Sequence, residues 1–578
     1  MSGYKNIFKS NYPVMISLSV LIVLPMILLA PMIHTHTISY GADTWFHMMR
    51  IYEMRNSLKD GSIFGTIGNV FTFGSAGQAI NGMYPSATLR ILVLTTNWLS
   101  PVNQVYGIMI LILWITSVCN LYVFYKLGVP KFQALLAAIT MTYILSFYLI
   151  IKSGSLGLAI SIGLVPLVFY GLFLIQSNDY KERKKAALII GIGIGLIFLT
   201  HVMSAMFGVI IVIMSAIWDL IYKKHNFLNY VFSGFMSMII GLPTIVTILM
   251  MGKETLPVAS FEKKARSILN FFSPLWDAHS GTAYLGWTSL TVLAVIYVIT
   301  SLLISEKHLK FKIIALLNIV MGTNLGYSSI MNFIQFPERF WIFGTLLCVF
   351  VLIIECFNGN EKGMIRSIII SILVLISATN IAYNYYQKLG KQVLWQNTSR
   401  VYDRNNTKID SDSYKYGEFK KLRTYIDYLP IQQKRTALLP PKASTPSKEM
   451  LDVNFSKNTR PTGFNKSSIK VNKKGNIVAY NKMIITKVKR NSVCMRVKIS
   501  KNTKYDLPFW AYDSNKYVVY DNGKTLDYKI SSEGRLSVSL VEGVNKIKIK
   551  QRLPKVILVS YLISIIAFLI SLSLLKLV

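Results

Sequence analysis

The chain has 578 residues, with 62 Lys and Arg against 26 Asp and Glu, a formal net charge of +36. Only 15% of it is charged, where soluble globular proteins carry roughly 25%, and its mean hydropathy is +0.44. An ordinary soluble enzyme is excluded, because the apolar residues fall in runs of about 20, the length that crosses a hydrocarbon core. An embedded chain of this charge meets membrane lipids and anionic surface polymers, not nucleic acid.

Twelve spans are expected along the chain: Pro13–Ile33, Gln104–Tyr125, Phe132–Ile151, Ser155–Ile175, Ala187–Met203, Ser204–Ile221, Leu228–Met251, Ala283–Ile304, Phe311–Ser328, Phe340–Cys356, Met364–Tyr383 and Val556–Val578. The first lacks a small-residue cleavage site and reads as a retained helix, not a signal peptide. Ser86–Leu99 is too short to span and reads as a half-inserted segment. With Lys5 and Lys9 inside, the short basic connections all fall inside too: Lys126/Lys131, Lys181–Lys185, Lys223/Lys224, Lys307/Lys310/Lys312 and Lys362/Arg366. The long connections then lie outside, which satisfies the positive-inside rule. Residues 1–383 are thus expected to form a transmembrane domain with outer loops 34–85 and 252–282. A plasma membrane is the expected location.

Residues 384–555 are expected to form an extracellular soluble domain, followed by a last helix over 556–578. Asn384–Arg552 holds 35 Lys and Arg against 13 Asp and Glu. From about residue 468 it shows alternating runs, such as Val493–Ile499 and Leu536–Ile549, punctuated by Asn522-Gly523, Glu533-Gly534 and Glu542-Gly543. That pattern predicts a small antiparallel β-sandwich. Its charge points to an anionic polymer or lipid, although a general Lys bias gives the same count. Cys119, Cys348 and Cys356 lie in apolar runs and Cys494 stands alone in the soluble part, so neither a disulfide there nor a Cys-built metal site is expected.

The chemistry concentrates just after the first span, in Gly41–Arg55. Wound as a helix, this stretch places Asp43, His47 and Arg50 on one face and Trp45, Met48, Met49 and Tyr52 on the other. It reads as an amphipathic helix in the outer interface. A carboxylate there can deprotonate an acceptor hydroxyl, and a neighbouring His or Arg can orient it or neutralise a phosphate. An ordinary solvated face with an i,i+4 Asp–His pair fits the same spacing. In loop 252–282, Lys253, Lys263, Lys264 and Arg266 suit a donor phosphate. Trp276, Asp277 and His279 suit a sugar, or a plain interfacial loop. His201, at an outer helix end, reads as a pocket residue or a packing one. No closed metal-ligand set is visible, and a divalent cation stays open. Gly191-x-Gly193-x-Gly195 lies in an apolar run and reads as helix packing, not a nucleotide loop.

Asp43-x-x-x-His47-x-x-Arg50, with Leu58-x-x-Gly61 and then Tyr84-Pro85, resembles the first outer loop of the GT-C superfamily of membrane glycosyltransferases. More closely, it resembles the bacterial membrane family labelled 6-pyruvoyl-tetrahydropterin-synthase-related. The likeness runs on through Thr200-His201, Phe336-Pro-Glu-Arg339-Phe, Tyr428-Leu-Pro430, Leu507-Pro508, the sandwich glycines and the closing span. It covers most of the chain, through short motifs. It implies a mostly α polytopic fold with about 12 transmembrane helices and a β-sandwich before the last. It also implies that Asp43 is the catalytic carboxylate, with His47 beside it and Tyr84 and His201 lining the pocket. The donor would be a sugar on a polyprenyl phosphate supplied by a partner glycosyltransferase, and the acceptor an envelope polymer or lipid. Arg339, with Arg50, would meet the phosphate. Glu338 departs from the family, which often has an aromatic there, and a snorkelling anchor is the plainer reading of Arg339. Two other classes stay open: a flippase of lipid-linked saccharides, which needs paired broken helices, and a non-catalytic scaffold.

Overall fold

The computed structural model describes residues 2–35, 38–39, 43–72, 77–224, 226–251, 267–272, 289–326, 337–357, 359–388, 408–409, 469–471, 477–480, 483–489, 491–531 and 534–577. Its helical part begins with α1 (Ser2–His34), β1 (Ile38–Ser39), α2 (Thr44–Lys59), α3 (Ile80–Met83), α4 (Ala87–Thr96), α5 (Pro101–Lys126) and α6 (Lys131–Met141). Two π-helical turns, Thr142–Ser146 and Leu149–Ser153, extend α6. Next come α7 (Leu156–Leu174), α8 (Tyr180–Phe198), α9 (Val202–Ile221), α10 (Phe227–Ile240), α11 (Leu242–Met251), α12 (Ile268–Phe272), α13 (Ser289–Ile304), α14 (Leu309–Met321), α15 (Arg339–Cys356) and α16 (Glu361–Lys388). A C-terminal helix, Lys555–Leu577, closes the chain.

Each expected span overlaps a described helix or pair of helices. Eight of these are long and apolar enough to cross a membrane alone, or nine if one bent pair counts as a span. The chain is a multi-pass membrane protein. Helix α7 is apolar on every side and buried along most of its length, as a central helix must be. Glycines set its neighbours' spacing. A Cβ at Gly191 would lie 2.7 Å from Met236 Cβ, and one at Gly195 2.6 Å from Ile240 Cβ, so α8 and α10 meet almost backbone to backbone.

Two expectations need correction. Leu228–Met251 is not one straight span: it bends by 69° between α10 and α11. Gly241 sits at the break and Pro243 follows it, where the missing N–H of Pro is tolerated in a first helical turn. Nor does α2 float in an interface with one solvated face. Met48, Met49, Ile51 and Met54 are buried on one side, and His47, Arg50, Glu53 and Ser57 on others. Protein covers this helix all round.

Helices α4 and α5 and the loop after α2 supply the cover, and that loop meets a β-domain. Its strands are β3 (Ile469–Val471), β4 (Ile477–Tyr480), β5 (Met483–Lys489), β6 (Ser492–Ile499), β7 (Thr503–Trp510), β8 (Lys516–Asp521), β9 (Lys524–Leu526), β10 (Tyr528–Ile530), β11 (Arg535–Leu540) and β12 (Gly543–Arg552). A short β2 (Lys408–Ile409) pairs with β1 instead. A seven-stranded sheet, β3-β4-β5-β6-β12-β8-β9, packs on a three-stranded one, β10-β11-β7. Val493, Met495, Val519, Ile547 and Ile549 meet Leu507, Phe509, Leu536 and Val538 between them. Val70, from the loop after α2, joins that core.

That loop fastens the two parts together. The Gln551 side chain donates to Gly68 O at 2.9 Å and accepts from Gly68 N at 3.0 Å. The Tyr512 hydroxyl accepts from Ala79 N at 2.9 Å. Glu53 on α2 accepts from the backbone N–H of Val70, Phe71 and Thr72 and from the Thr72 hydroxyl, each at 2.8 Å.

At the opposite helix ends, two lysines expected in a solvated basic connection are buried. Lys310 pairs with Asp219 at 2.7 Å, and Lys312 with Glu355 at 3.1 Å. Tyr230 and Asn226 also donate to Asp219. Removing one member of a buried pair strands the other charge. Lys310→Met is therefore expected to cost about 3–5 kcal/mol, read as a lower unfolding midpoint in detergent. Adding Asp219→Asn should recover part of that loss.

Candidate active site

The start of α2 is seated on the break between α6 and α7. Gly154 holds φ +69°, and a Cβ there would meet Thr44 Oγ1 at 2.2 Å and Thr44 Cα at 2.6 Å. A residue without Cβ in a left-handed conformation lets the two backbones touch. Asp43 N then donates to Ser153 O at 2.7 Å. π-Helical turns of the kind that precede this break recur at functional sites.

Asp43 stands at the N-cap position of α2, yet its carboxylate does not cap that helix. Asp43 Oδ2 instead accepts from the hydroxyl of Ser155, the N-cap residue of α7. The carboxyl thus lies at the positive end of the α7 dipole. It remains reachable from outside the protein. The surrounding protein still removes enough water to raise its proton affinity above the usual range, against the pull of Ser155 and the Arg339 charge. Ser155→Ala removes one of the two opposing influences. The acidic limb of an activity profile is expected to move to higher pH in that variant, as a pH series of kcat/KM would show.

Arg339 opens α15 and is half-buried. Its charge acts on Asp43, Tyr84 and His201, so residues far apart in the chain share one electrostatic neighbourhood. Tyr84 lies between two imidazoles, with ring centroids 5.7 Å from both His47 and His201. Its hydroxyl reaches the first turn of α7, where a Cβ at Gly157 would come within 2.6 Å of it. His201 Nδ1 accepts from Ser204 N at 3.2 Å and caps α9. Burial, together with the Arg339 and Arg50 charges, pushes His201 down to about 3, and burial, with Arg50 and His201 beside it, holds His47 well below its ordinary value. Both rings are neutral at physiological pH.

The Asp–His pair offered by the i,i+4 spacing does not form. The His47 ring is buried and turned toward Arg50, 3.4 Å away, and among the described residues no hydrogen bond joins it to the Asp43 carboxylate. Arg50 is buried too. Its guanidinium donates to Asn81 Oδ1 at 2.9 Å and Pro85 O at 2.7 Å, and lies 4.2 Å from the Tyr84 ring centroid. It braces the Tyr84-Pro85 turn from behind. Glu338 is buried beside Arg339. Lys253, Lys263, Lys264, Arg266, Trp276, Asp277 and His279 lie outside the described residues. Among those described, no group of three or more His, Cys, Asp or Glu is placed to hold a metal ion.

No family model and no curated protein matches the chain. Two solved structures resemble it in outline. One is the arabinofuranosyltransferase AftD from mycobacteria, at TM-score 0.43 and 14% identity, covering 65% of this chain; the chain spans 27% of the length of AftD. The other is ArnT from Cupriavidus metallidurans, bound to undecaprenyl phosphate, at TM-score 0.40 and 10% identity, covering 92% of this chain and 98% of that one. Likenesses this distant carry no residue roles across.

Tyr84 and Pro85 also line an open hollow. Asn81, Ser86 and Arg90 form its polar wall, while Pro243 of α11 and Ile557 and Tyr561 of the C-terminal helix form the apolar one. Ser155, Asn81 and this hollow are absent from the sequence reading. One signal was there: Ser153-Gly154-Ser155 interrupts two apolar runs at the helix end that, by strict alternation of spans, also carries Asp43.

Proposed function

We propose that the chain is a membrane glycosyltransferase that moves a sugar from a polyprenyl-phosphate donor to a hydroxyl of an envelope acceptor, an anionic polymer or lipid. One observation carries the reading: a reachable carboxylate, Asp43, is held by Ser155 at a helix N-terminus within the field of Arg339. Asp43 takes the proton of the acceptor hydroxyl as its oxygen bonds to the anomeric carbon. The bond from that carbon to the phosphate oxygen breaks, its electron pair leaves with the polyprenyl phosphate, and the anomeric centre inverts. Arg339 neutralises the departing phosphate, for which a planar guanidinium is suited. Neutral His47 and His201 hold Tyr84, while Arg50 fixes its backbone. The half-apolar hollow lined by Tyr84 and Pro85 gives a lipid substrate a place to lie.

The flippase reading needs paired broken helices. Among the described residues there is one broken pair, α10 with α11, and the charged cluster sits at helix ends instead of along a path. The alternation of spans, with the short basic connections at the other end, supports an outer location for the site under the positive-inside rule. Purified protein given a panel of polyprenyl-phosphate sugars with envelope acceptors should transfer label. Lipid translocation without transfer, in a parallel vesicle assay, would reject the enzyme in favour of the carrier.

A further inference from the structure

The outward face of the seven-stranded sheet is cationic along its whole centre. On β12, Lys546, Lys548, Lys550 and Arg552 are exposed, alternating with buried Ile547, Ile549 and Gln551. On β6, Arg496 and Lys498 share that face. Lys487 and Lys489 on β5 and Lys516 on β8 flank them. The register shows how closely they are set. Arg496 stands directly opposite Lys546, and Lys516 directly opposite Arg552.

Like charges directly opposed across an antiparallel pair weaken a sheet, so nothing in folding favours this arrangement. The strands β5, β6, β8 and β12 place no acidic side chain on the face. Asp521 pairs with buried Ile547 and belongs to the other side. Among the described residues none of these nine cations has an ion pair. Lys548 Nζ lies 6.0 Å from the ring centroid of Tyr520.

We infer that this face is a docking track for an extended, phosphate-bearing polymer. Cations recur along β12 every second residue, roughly 7 Å apart, with strands roughly 5 Å apart. From Arg552 to Lys546 the row covers about 20 Å. Arg552 is its membrane-proximal rung, since the spanning helix starts at Lys555 after Leu553 and Pro554. The row is long and narrow, a shape that an extended chain molecule can follow from rung to rung. Gln551 on the same strand turns to the opposite face and bonds Gly68 in the loop after α2, so the strand that carries the track is fastened to the membrane domain. That the polymer is the acceptor rests on the transfer reading; the binding itself does not.

The test measures binding alone. Full-length protein in neutral lipid nanodiscs is titrated with fluorescent inorganic polyphosphate at low and moderate salt. Lys546→Glu with Lys548→Glu is compared with Lys504→Glu and Lys529→Glu, an equal charge change on exposed positions of the other sheet. The first pair should lower affinity at least 10-fold and flatten the salt dependence, whose slope follows the number of phosphates neutralised. The second pair should change affinity less than 3-fold. Cys494, half-buried between Lys487 and Lys548 in the register, reports the footprint. Polyphosphate should slow its alkylation at least 5-fold. Equal losses from both pairs would reduce the effect to net charge and overturn the track. Protection of Cys494 by anionic nanodisc lipid, with none from polyphosphate, would make the face a membrane contact and overturn it as well.

Discussion

Asp43→Asn is expected to lower sugar transfer by about 10²–10⁴-fold, the range that a positioned general base supplies, while expression and the unfolding midpoint stay near those of the parent. Asn keeps the shape and can still accept from Ser155, so a folding defect would not explain the loss. The pH profile gives a second reading of the same group. A base must be ionised to work, so activity falls as pH drops through its folded pKa. Burial raises that pKa above its ordinary value, so the acidic limb of kcat/KM should lie above the range of a free carboxylate. Arg339→Gln should move the limb higher still, because the guanidinium favours the ionised form. It should also lower kcat if Arg339 meets the leaving phosphate. His47 and His201 are held neutral, so no second limb should appear near the ordinary histidine value. Near-parental transfer by a well-folded Asp43→Asn protein would remove Asp43 as the base, whatever else the fold does.

The membrane architecture was legible in the sequence because length and apolarity alone decide what can cross a bilayer. The sandwich was legible because burial on one sheet face imposes a two-residue alternation, as in Val493–Ile499, where Val493, Met495, Val497 and Ile499 are the buried set. The bend at Gly241 was passed over although Gly-Leu-Pro marks it, because the apolar run continues through. What periodicity does not carry is the identity of the covering surface. Asp43, His47 and Arg50 do alternate with apolar residues as an amphipathic helix requires, yet His47 and Arg50 are buried, with Arg50 held by Asn81 and Pro85 of the segment after α2. Gly68 finds its partner at Gln551, 483 residues away. Asp43 finds Ser155 at a separation of 112. Such contacts follow from the folded topology. Polarity at a position therefore does not say whether a side chain faces a chamber or, like Arg50 and Glu53, hydrogen-bonds within the fold.

Glu53 is the brace whose loss should cost most. Its carboxylate collects four donors, three of them backbone N–H groups of the segment that enters the sandwich core through Val70. Each buried donor left without a partner costs about 1–3 kcal/mol, so Glu53→Ala is expected to lower stability by about 3–5 kcal/mol in all. The loop after α2 should then become cleavable by protease before the helices unfold. Glu53→Gln keeps one acceptor oxygen in place and should cost less than half as much. Its pH dependence separates burial from hydrogen bonding. Burial pushes Glu53 up to about 7, with the donors opposing it. A raised acid pKa means that the folded protein gains a proton which the unfolded chain has already lost. Its stabilising contribution is therefore full below 4.5 and fades as pH rises through about 7. The advantage of the parent over the Gln variant should accordingly be largest near pH 5 and shrink by pH 8. If it grows with pH instead, the four donors outweigh desolvation, and the ionised carboxylate is the form that clamps the two domains together.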